Sequence, residues 1–259
     1  MKKNNSKSKK QSVEEVNQEF FGEFFTENSV DYLKHSAGSR WFRDLLFKLL
    51  KNIKPSEVKT VADVGCGIGH KTAELKDYFK KADVTGFDFS GPAISIGKKA
   101  YAKKGLTFSH QDITQRNYNK KYDLIAAFDV LEHIDDWKSM TKKLINVNNK
   151  YLLLSFPVGR MRPYEKHIGH FRNFQRGQME AFLADQGYIT VSTYYAGFPF
   201  YSPIMRDLTN RFFKNYSEVS VAKMGFISRR IHDIWYILFR YLSLKHHGDV
   251  FIGLFKKES

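Results

Sequence analysis

The fold of this chain can be inferred from the stretch Val61-Ala62-Asp63-Val64-Gly65-Cys66-Gly67-Ile68-Gly69-His70. Residues typical of a β-strand lead into the pattern Gly-x-Gly-x-Gly, and a helix-like stretch follows it. Glycines at such a point allow a sharp turn and let a ligand approach the main chain closely. An acidic residue, Asp88, ends the next predicted strand 19 residues after Gly69. A carboxylate at that position can accept hydrogen bonds from both hydroxyls of a ribose.

The spacing of the glycines distinguishes between dinucleotide cofactors and other candidate ligands. Nicotinamide and flavin enzymes use Gly-x-Gly-x-x-Gly with a pyrophosphate at the helix start, whereas the third glycine here comes one residue earlier. Asp63, two residues before Gly65, would repel a pyrophosphate but suits a ligand that carries an ammonium group. S-adenosylmethionine has an ammonium group and a ribose and lacks phosphate. We therefore expect it as the cofactor, and a tight strand–helix turn without a ligand is the structural alternative.

Short apolar runs alternate with helix-like stretches on both sides of this turn. The predicted strands are Thr60–Val64, Asp83–Phe87, Leu106–Ser109, Tyr122–Phe128, Tyr151–Phe156, Tyr188–Tyr195 and Asp249–Lys256. The predicted helices between them are Lys71–Lys80, Ala93–Lys104, Trp137–Asn146 and Gln178–Gln186. This alternation predicts an α/β fold, with a Rossmann-like, mostly parallel seven-stranded sheet that is covered by helices on both faces.

The segments before and after the core have compositions that divide the chain into further regions. We expect a disordered basic tail over 1–11, an N-terminal helical cap over 12–57, the cofactor-binding core over 58–195, a helical insertion over 196–248 that caps the substrate, and the last strand of the core over 249–259. A capping box at Ser12–Glu15 predicts one N-terminal helix, and apolar spacing predicts another over Arg40–Lys51. The small polar residues Ser36–Ser39 are predicted to form the loop between them.

Composition excludes several classes of protein. The chain has 259 residues and one cysteine, so neither a disulfide framework nor a Cys-rich zinc site is expected. It contains no apolar run of about 18 residues and no secretory signal, which predicts a cytoplasmic protein. The net charge of +15 leaves anionic partners open, among them lipid, a phosphate-bearing substrate and RNA. RNA is the weaker candidate because no RNA-binding module is appended, and no DNA partner is expected. Nothing in the sequence sets the oligomeric state.

The insertion contains one further predicted helix, from about Ser228 to Leu244. Its apolar stripe is flanked by basic residues and consists of Ile231, Ile234, Trp235, Leu238, Tyr241 and Leu242. Such a helix can pack on the domain, can act as a lid over an apolar substrate, or can rest on the surface of an anionic membrane. The last alternative predicts a peripheral contact with the inner face of the membrane.

From Val58 to Phe156 the chain resembles the class I S-adenosylmethionine-dependent methyltransferases, and within them the small-molecule branch. The resemblance implies that the first motif holds the methionine part of the cofactor, through Asp63, Gly65, Cys66, Gly67 and Gly69. It further implies a set of residues along the rest of the cofactor. These are Asp88 at the ribose, Phe89 against the adenine, Asp112 and Ile113 near the adenine amino group, and Phe128 and Asp129 near the sulfonium.

The loop after the fifth strand is rich in residues that could meet a methyl acceptor. His167 and His170 are candidates for a general base, and His133 in Leu-Glu-His-Ile is a third candidate. Arg160 or Arg162 is expected to bind an anionic group, and Tyr164 is the other candidate for substrate binding. For each of these residues, packing within the loop is the alternative. Two histidines without a third ligand predict no metal site.

These observations predict methyl transfer to a small-molecule, sugar or lipid-linked acceptor, on oxygen. The first alternative is an RNA methyltransferase. The second is a non-catalytic binding module that keeps the fold.

Overall fold

A computed structural model describes residues 25–112, 120–212 and 224–258. Its centre is a seven-stranded sheet in the order β3-β2-β1-β4-β5-β7-β6. The strands are β1 (Thr60–Val64), β2 (Asp83–Asp88), β3 (Leu106–His110), β4 (Tyr122–Phe128), β5 (Asn148–Pro157), β6 (Tyr188–Ala196) and β7 (Val250–Lys257). Strands β1 to β5 run parallel, and β7 lies antiparallel between β5 and β6. The predicted fold class is confirmed.

The strand order positions the candidate site. After β3 the chain crosses to the other side of β1 and continues with β4, so β1 and β4 are neighbours at the point where the order reverses. In open parallel sheets, ligands bind at the carboxyl ends of the strands that flank such a point. Every residue of β4 is buried, because the strand is covered on both faces.

Helices cover the sheet on both faces. The described helices are α1 (Glu27–His35), α2 (Ala37–Leu50), α3 (His70–Tyr78), α4 (Gly91–Ala100), α5 (Trp137–Asn146), α6 (Pro163–His167), α7 (Gln178–Ala184), α8 (Arg206–Phe212) and α9 (Phe226–Ile237). One core layer joins α2, α3 and α4 to side chains of the sheet such as Val61 and Leu124. The other layer joins α5 and α7 to the alternate side chains of the same strands, such as Ala62 and Ile125.

The structure corrects the prediction for Ser36–Ser39. These residues do not form a loop, because α2 begins at Ala37 and the Ser36 side chain caps it by accepting a hydrogen bond from the Ser39 N–H. Ala37 is fully buried, and a small side chain is what this close packing requires. Helix α1 was not predicted. The capping box at Ser12 and the tail over 1–11 lie outside the described residues.

The insertion before β7 is helical in its described parts, as predicted. A kinked turn at Phe200–Met205 leads into α8, and α9 continues through a further turn at Leu238–Leu242. Helix α9 packs on α2, where Tyr236 donates a hydrogen bond to Asp44 at 2.8 Å and Arg40 pairs with Asp233 at 2.6 Å. Across the described ranges, no helix combines the length and the apolar character that a membrane crossing requires.

Candidate active site

The glycine turn at the carboxyl end of β1 has a backbone that only glycine adopts without strain. Gly65 and Gly69 have φ values of 71° and 78°, and α3 begins directly after Gly69. A Cβ at Gly65 would lie 2.5 Å from Val130, and one at Gly69 would lie 2.0 Å from Phe108. The turn is therefore packed from both sides, by Phe108 of β3 and by Val130, which follows β4.

Asp88, at the end of β2, is tied to this turn. Its Oδ2 accepts a hydrogen bond from the Gly67 N–H at 2.7 Å, and its Oδ1 accepts one from the Ser90 N–H at 2.8 Å. Burial raises the pKa of the Asp88 carboxyl, and the two N–H donors act in the opposite direction. Each carboxylate oxygen can accept a further hydrogen bond, so the acid fits the hydroxyls of a ribose.

Asp63, on β1 below the turn, has one carboxylate oxygen without a hydrogen-bond partner among the described residues. Oδ2 accepts the Thr72 hydroxyl at 2.6 Å, whereas Oδ1 is unpaired although the side chain is only 1% exposed. Burial raises the pKa of Asp63 to about 7. An unsatisfied buried carboxylate is unfavourable, and an ammonium group of a ligand would satisfy it. The Asp63 carboxylate therefore fits the ammonium group of S-adenosylmethionine, the ligand that the sequence predicts.

The adenine side of the predicted site lies where β2 and β3 end. Asp88 pairs in register with His110, and the Gln111 N–H donates to the Asp88 carbonyl at 2.7 Å. This brings Phe89 and Asp112, both half-buried, to the same edge of the sheet. Ile113 lies outside the described residues.

Cys66 lies inside the glycine turn and has no feature of a nucleophile. Burial raises the pKa of its thiol well above the ordinary value. Its sulfur would lie 2.8 Å from a Cβ placed at Gly86, so the thiol fills the space between β1 and β2. Packing is the role that this position supports.

The end of β4 supplies the residues predicted near the sulfonium. Phe128 is buried, and its ring packs edge-on against Phe42 of α2. Asp129 has a φ of 55°, and it is the one non-glycine residue with a positive φ in the described part of the chain. Its carboxylate accepts the Ser155 hydroxyl at 2.9 Å. A strained backbone at this edge of the sheet is a common feature of functional sites.

Glu132, His133 and His170 form a cluster next to Asp129. One ligand atom from each of the three lies within 4.8 Å of the others, and the two imidazole rings are 4.5 Å apart. Burial lowers the pKa of His133 to about 3 and that of His170 to about 4, so both rings are neutral at pH 7. Burial, with Asp129 nearby, raises the pKa of Glu132 well above the usual range.

The orientation of the two rings suits either of two chemical roles. His133 Nδ1 lies 3.2 Å from the Gly169 carbonyl, and His170 Nδ1 lies 3.4 Å from the Asn173 side-chain oxygen. Such partners direct the other ring nitrogen, Nε2, toward a reacting group or toward a metal ion. Two imidazoles and a carboxylate could hold a divalent cation. Glu132 was not predicted as a possible third ligand, although it directly precedes His133.

His167 is separated from this cluster. It lies exposed in the last turn of α6, so of the two histidines in the loop it is His170 that the structure places against His133.

The structure gives Arg160 and Arg162 partners within the chain, in place of the anionic substrate group that the sequence predicts for one of them. Arg162 is buried, and its guanidinium donates to Asp207 at 2.7 Å and to Ser202 at 2.9 Å and pairs with Asp249 at 3.0 Å. The exposed Arg160 also pairs with Asp207, at 3.1 Å.

Tyr164 and Glu165 extend this network. The Tyr164 hydroxyl accepts a hydrogen bond from Arg206 Nε at 2.9 Å, and the fully buried Glu165 forms an ion pair with the same guanidinium. Glu165 also accepts a hydrogen bond from Asn173 at 3.1 Å. Together these contacts fasten the loop after β5 to the insertion, and this part of the insertion forms a cap beside the histidine cluster. Tyr164 and Glu165 lie more than 40 residues before Arg206 in the chain, so local sequence patterns do not indicate these pairings.

Comparison with known proteins identifies the core. Residues 61–150 match the family model described as "Methyltransferase domain". This match agrees with the glycine turn, Asp63 and Asp88. The core is a class I S-adenosylmethionine-dependent methyltransferase domain. The matched residues run from β1 to the start of β5 and include the cofactor side of the site.

Two relatives of this methyltransferase domain are named as O-methyltransferases. The malonyl-[acyl-carrier protein] O-methyltransferase of Bacillus anthracis is 24% identical over 167 residues, which are 64% of this chain and 61% of that protein. The ubiquinone biosynthesis O-methyltransferase of Pasteurella multocida is 26% identical over 150 residues, with 47% of this chain and 61% of that protein covered. The chain thus spans less than two thirds of the length of these relatives.

Solved structures confirm the fold of the methyltransferase domain. The magnesium protoporphyrin IX methyltransferase from Synechocystis PCC 6803, solved with bound SAM, matches with a TM-score of 0.55 and 20% identity. That match covers 72% of this chain and 90% of the other. The StiE O-methyltransferase matches with a TM-score of 0.54 and 14% identity, over 83% of this chain and 74% of the other.

Proposed function

We propose that this chain transfers the methyl group of S-adenosylmethionine to an oxygen atom of a small-molecule or carrier-linked acceptor. When bound, the cofactor supplies a methyl group activated by a sulfonium. The observation that carries the proposal is the unpaired Oδ1 of the buried Asp63 beside the glycine turn. It is a site for an ammonium group, and Asp88 at the next strand end supplies the acceptor for a ribose.

The chain's own residues would position the acceptor and remove its proton. His170 is neutral at pH 7, half-buried and oriented by Asn173, so it can accept a hydrogen bond from a hydroxyl group. His133 packs edge-on against its ring and holds it in place. An acceptor that is already ionised, such as a carboxylate, would need positioning alone. The ionic network of Arg162, Glu165 and Arg206 keeps the cap over this point.

Two observations support the proposed class of methyl acceptor: the names of the two relatives and the cap that the insertion forms. The two relatives named above are both O-methyltransferases by name, one of malonyl-[acyl-carrier protein] and the other of ubiquinone biosynthesis. A sugar and a lipid-linked metabolite fit the same cap. RNA is the second choice among substrates, and its support is the net charge of +15.

Replacing His170 by alanine tests the acceptor side. We expect kcat to fall about a hundredfold or more, because a positioned base contributes that much to proton transfer. The affinity for S-adenosylhomocysteine should stay within about twofold, since His170 packs against His133, which follows β4, whereas Asp88 lies at the end of β2. Turnover is measured with a panel of hydroxyl and carboxyl acceptors, and affinity by calorimetry.

His167→Ala is the matched control, because it removes the same side chain from an exposed position in the same loop. Equal losses of turnover in the two variants would contradict the assignment of His170. The wild-type enzyme is also assayed with EDTA. A loss of turnover that Mg²⁺ or Mn²⁺ restores would show that Glu132, His133 and His170 hold a metal ion, and the base role would then be withdrawn.

A further inference from the structure

The outward side of α9 carries large apolar side chains in solvent. We call this surface the isoleucine face and define it by Phe226, Ile227, Ile231, Ile234, Ile237 and Tyr241. All six are at least half exposed, and Ile227 and Ile234 are 76% and 62% exposed. A helix on the surface of a domain normally turns charged or polar residues outward, so a face of this kind requires an occupant.

The inward side of the same helix already supplies its packing against the domain. Trp235 and the buried Phe239 stack together and join the core layer around α2. His232 accepts a hydrogen bond from the Ala37 N–H at 3.2 Å. The isoleucine face lies opposite these residues, because its members recur every three to four positions between them. Among the described residues, the isoleucine face is therefore not covered by the core of the domain.

The apolar surface continues past the end of the helix. Leu242 and Leu244 are 56% and 50% exposed, and Phe198 is exposed beside Leu244. The Leu244 N–H donates a hydrogen bond to the Phe198 carbonyl at 2.7 Å, which fixes the two segments side by side. The surface thus runs from α9 to the base of the insertion.

The charges around the isoleucine face are mostly positive. Between Met224 and His247 the sequence has four Lys or Arg residues and one acidic residue, Asp233. Arg230 lies on the face itself with 67% of its side chain exposed, and Lys245 is exposed at the far end. Arg229 pairs with Asp31, Arg240 pairs with Asp44, and Asp233 is shared between Arg40 and Arg230. With Lys245, the basic residues here outnumber the acidic ones by five to three.

We propose that the isoleucine face is a docking surface for an anionic phospholipid membrane, on which α9 lies parallel to the bilayer plane. Apolar side chains would enter the boundary between headgroups and acyl chains, and the exposed Arg230 and Lys245 would meet lipid phosphates. A second copy of this chain is the weaker occupant, because a two-fold contact would bring the basic residues of both copies together. The proposal does not depend on the methyl acceptor.

The test is co-sedimentation of the full chain with vesicles. We expect at least tenfold stronger binding to phosphatidylcholine vesicles with about 30% phosphatidylglycerol than to phosphatidylcholine alone. Binding should weaken in about 0.5 M NaCl, because salt screens the charges of Arg230 and Lys245. The double variant Ile227→Ser with Ile234→Ser should bind at least tenfold more weakly, because each substitution removes an exposed apolar side chain.

Ile189→Ser is the matched control, because Ile189 is 47% exposed on β6, outside the insertion, and its loss should leave binding unchanged. Circular dichroism checks that each variant is folded. Wild-type protein that stays in the supernatant with anionic vesicles would overturn the proposal, as would a double variant that sediments like the wild type. Sedimentation velocity completes the test: a dimer that dissociates in the double variant, without vesicle binding, would assign the face to a second copy.

Discussion

Gly69→Ala should destabilise the domain by about 4 kcal/mol. The φ of 78° at this position is unfavourable for any residue with a Cβ. The new Cβ would also lie 2.0 Å from the ring of Phe108, which is buried in β3 and has no room to retreat. Either the ring or the start of α3 must move, and both lie beside the glycine turn. Urea denaturation followed by circular dichroism measures the loss of unfolding free energy.

Gly177→Ala separates the effect of backbone strain from the effect of the clash with Phe108. Gly177 also precedes a helix and has a φ of 77°, but a Cβ at this position would have no heavy atom within 4 Å. This variant carries the backbone strain without the clash, so we expect it to lose about 1 kcal/mol. If the two variants lost the same amount, the packing of Phe108 against the turn would be refuted.

Asp63→Asn should make the protein without cofactor more stable at pH 8, by about 3 kcal/mol, while weakening its affinity for S-adenosylhomocysteine at least tenfold. Burial raises the pKa of Asp63 from 3.8 to about 7, so the folded chain holds a proton that the unfolded chain has already released. Between pH 4 and 7 the folded state therefore binds more protons, and wild-type stability falls as the pH rises through this window. The asparagine variant has no such proton, so its advantage is small near pH 4 and complete above pH 7.

Denaturation curves at pH 5 and pH 8 and calorimetric titrations at pH 8 measure the two effects. Asp123→Asn is the control, since its buried carboxylate accepts the Lys59 N–H at 2.8 Å at the opposite end of the sheet. That variant should lose stability and keep its cofactor affinity. An Asp63→Asn protein with unchanged affinity would show that the unpaired oxygen faces no ligand.

The parts of the fold that are local in sequence could be predicted, and β4 and α5 have the predicted bounds. Uninterrupted burial gives β4 an apolar run, and the three-to-four-residue spacing of α5 indicates a helix with one buried side. The start of α2 could not be predicted, because Ser-Ala-Gly-Ser is typical of loops. Only its packing in the folded chain makes small residues suitable for a helix.

The cofactor side of the site could be predicted for the same reason, and the acceptor side could not. The turn, Asp63 and Asp88 lie on two consecutive strands at fixed spacing. By contrast, Arg162 pairs with Asp207 and Asp249, and Glu132 meets His170, across long intervals of the chain. Residue types alone suggested that Arg160 or Arg162 binds an anionic substrate group. In the structure, the anionic partners of Arg162 are Asp207 and Asp249 of the same chain.

Calorimetric titration with S-adenosylhomocysteine at pH 8 tests the cofactor assignment most directly. This ligand keeps the ribose and the ammonium group, so we expect saturable binding with one site per chain. Asp88→Ala should weaken that binding at least tenfold, which corresponds to about 1.4 kcal/mol. The absence of binding by the wild-type protein, or equal affinities of the wild-type protein and the variant, would contradict the assignment of the turn and Asp88 to this cofactor.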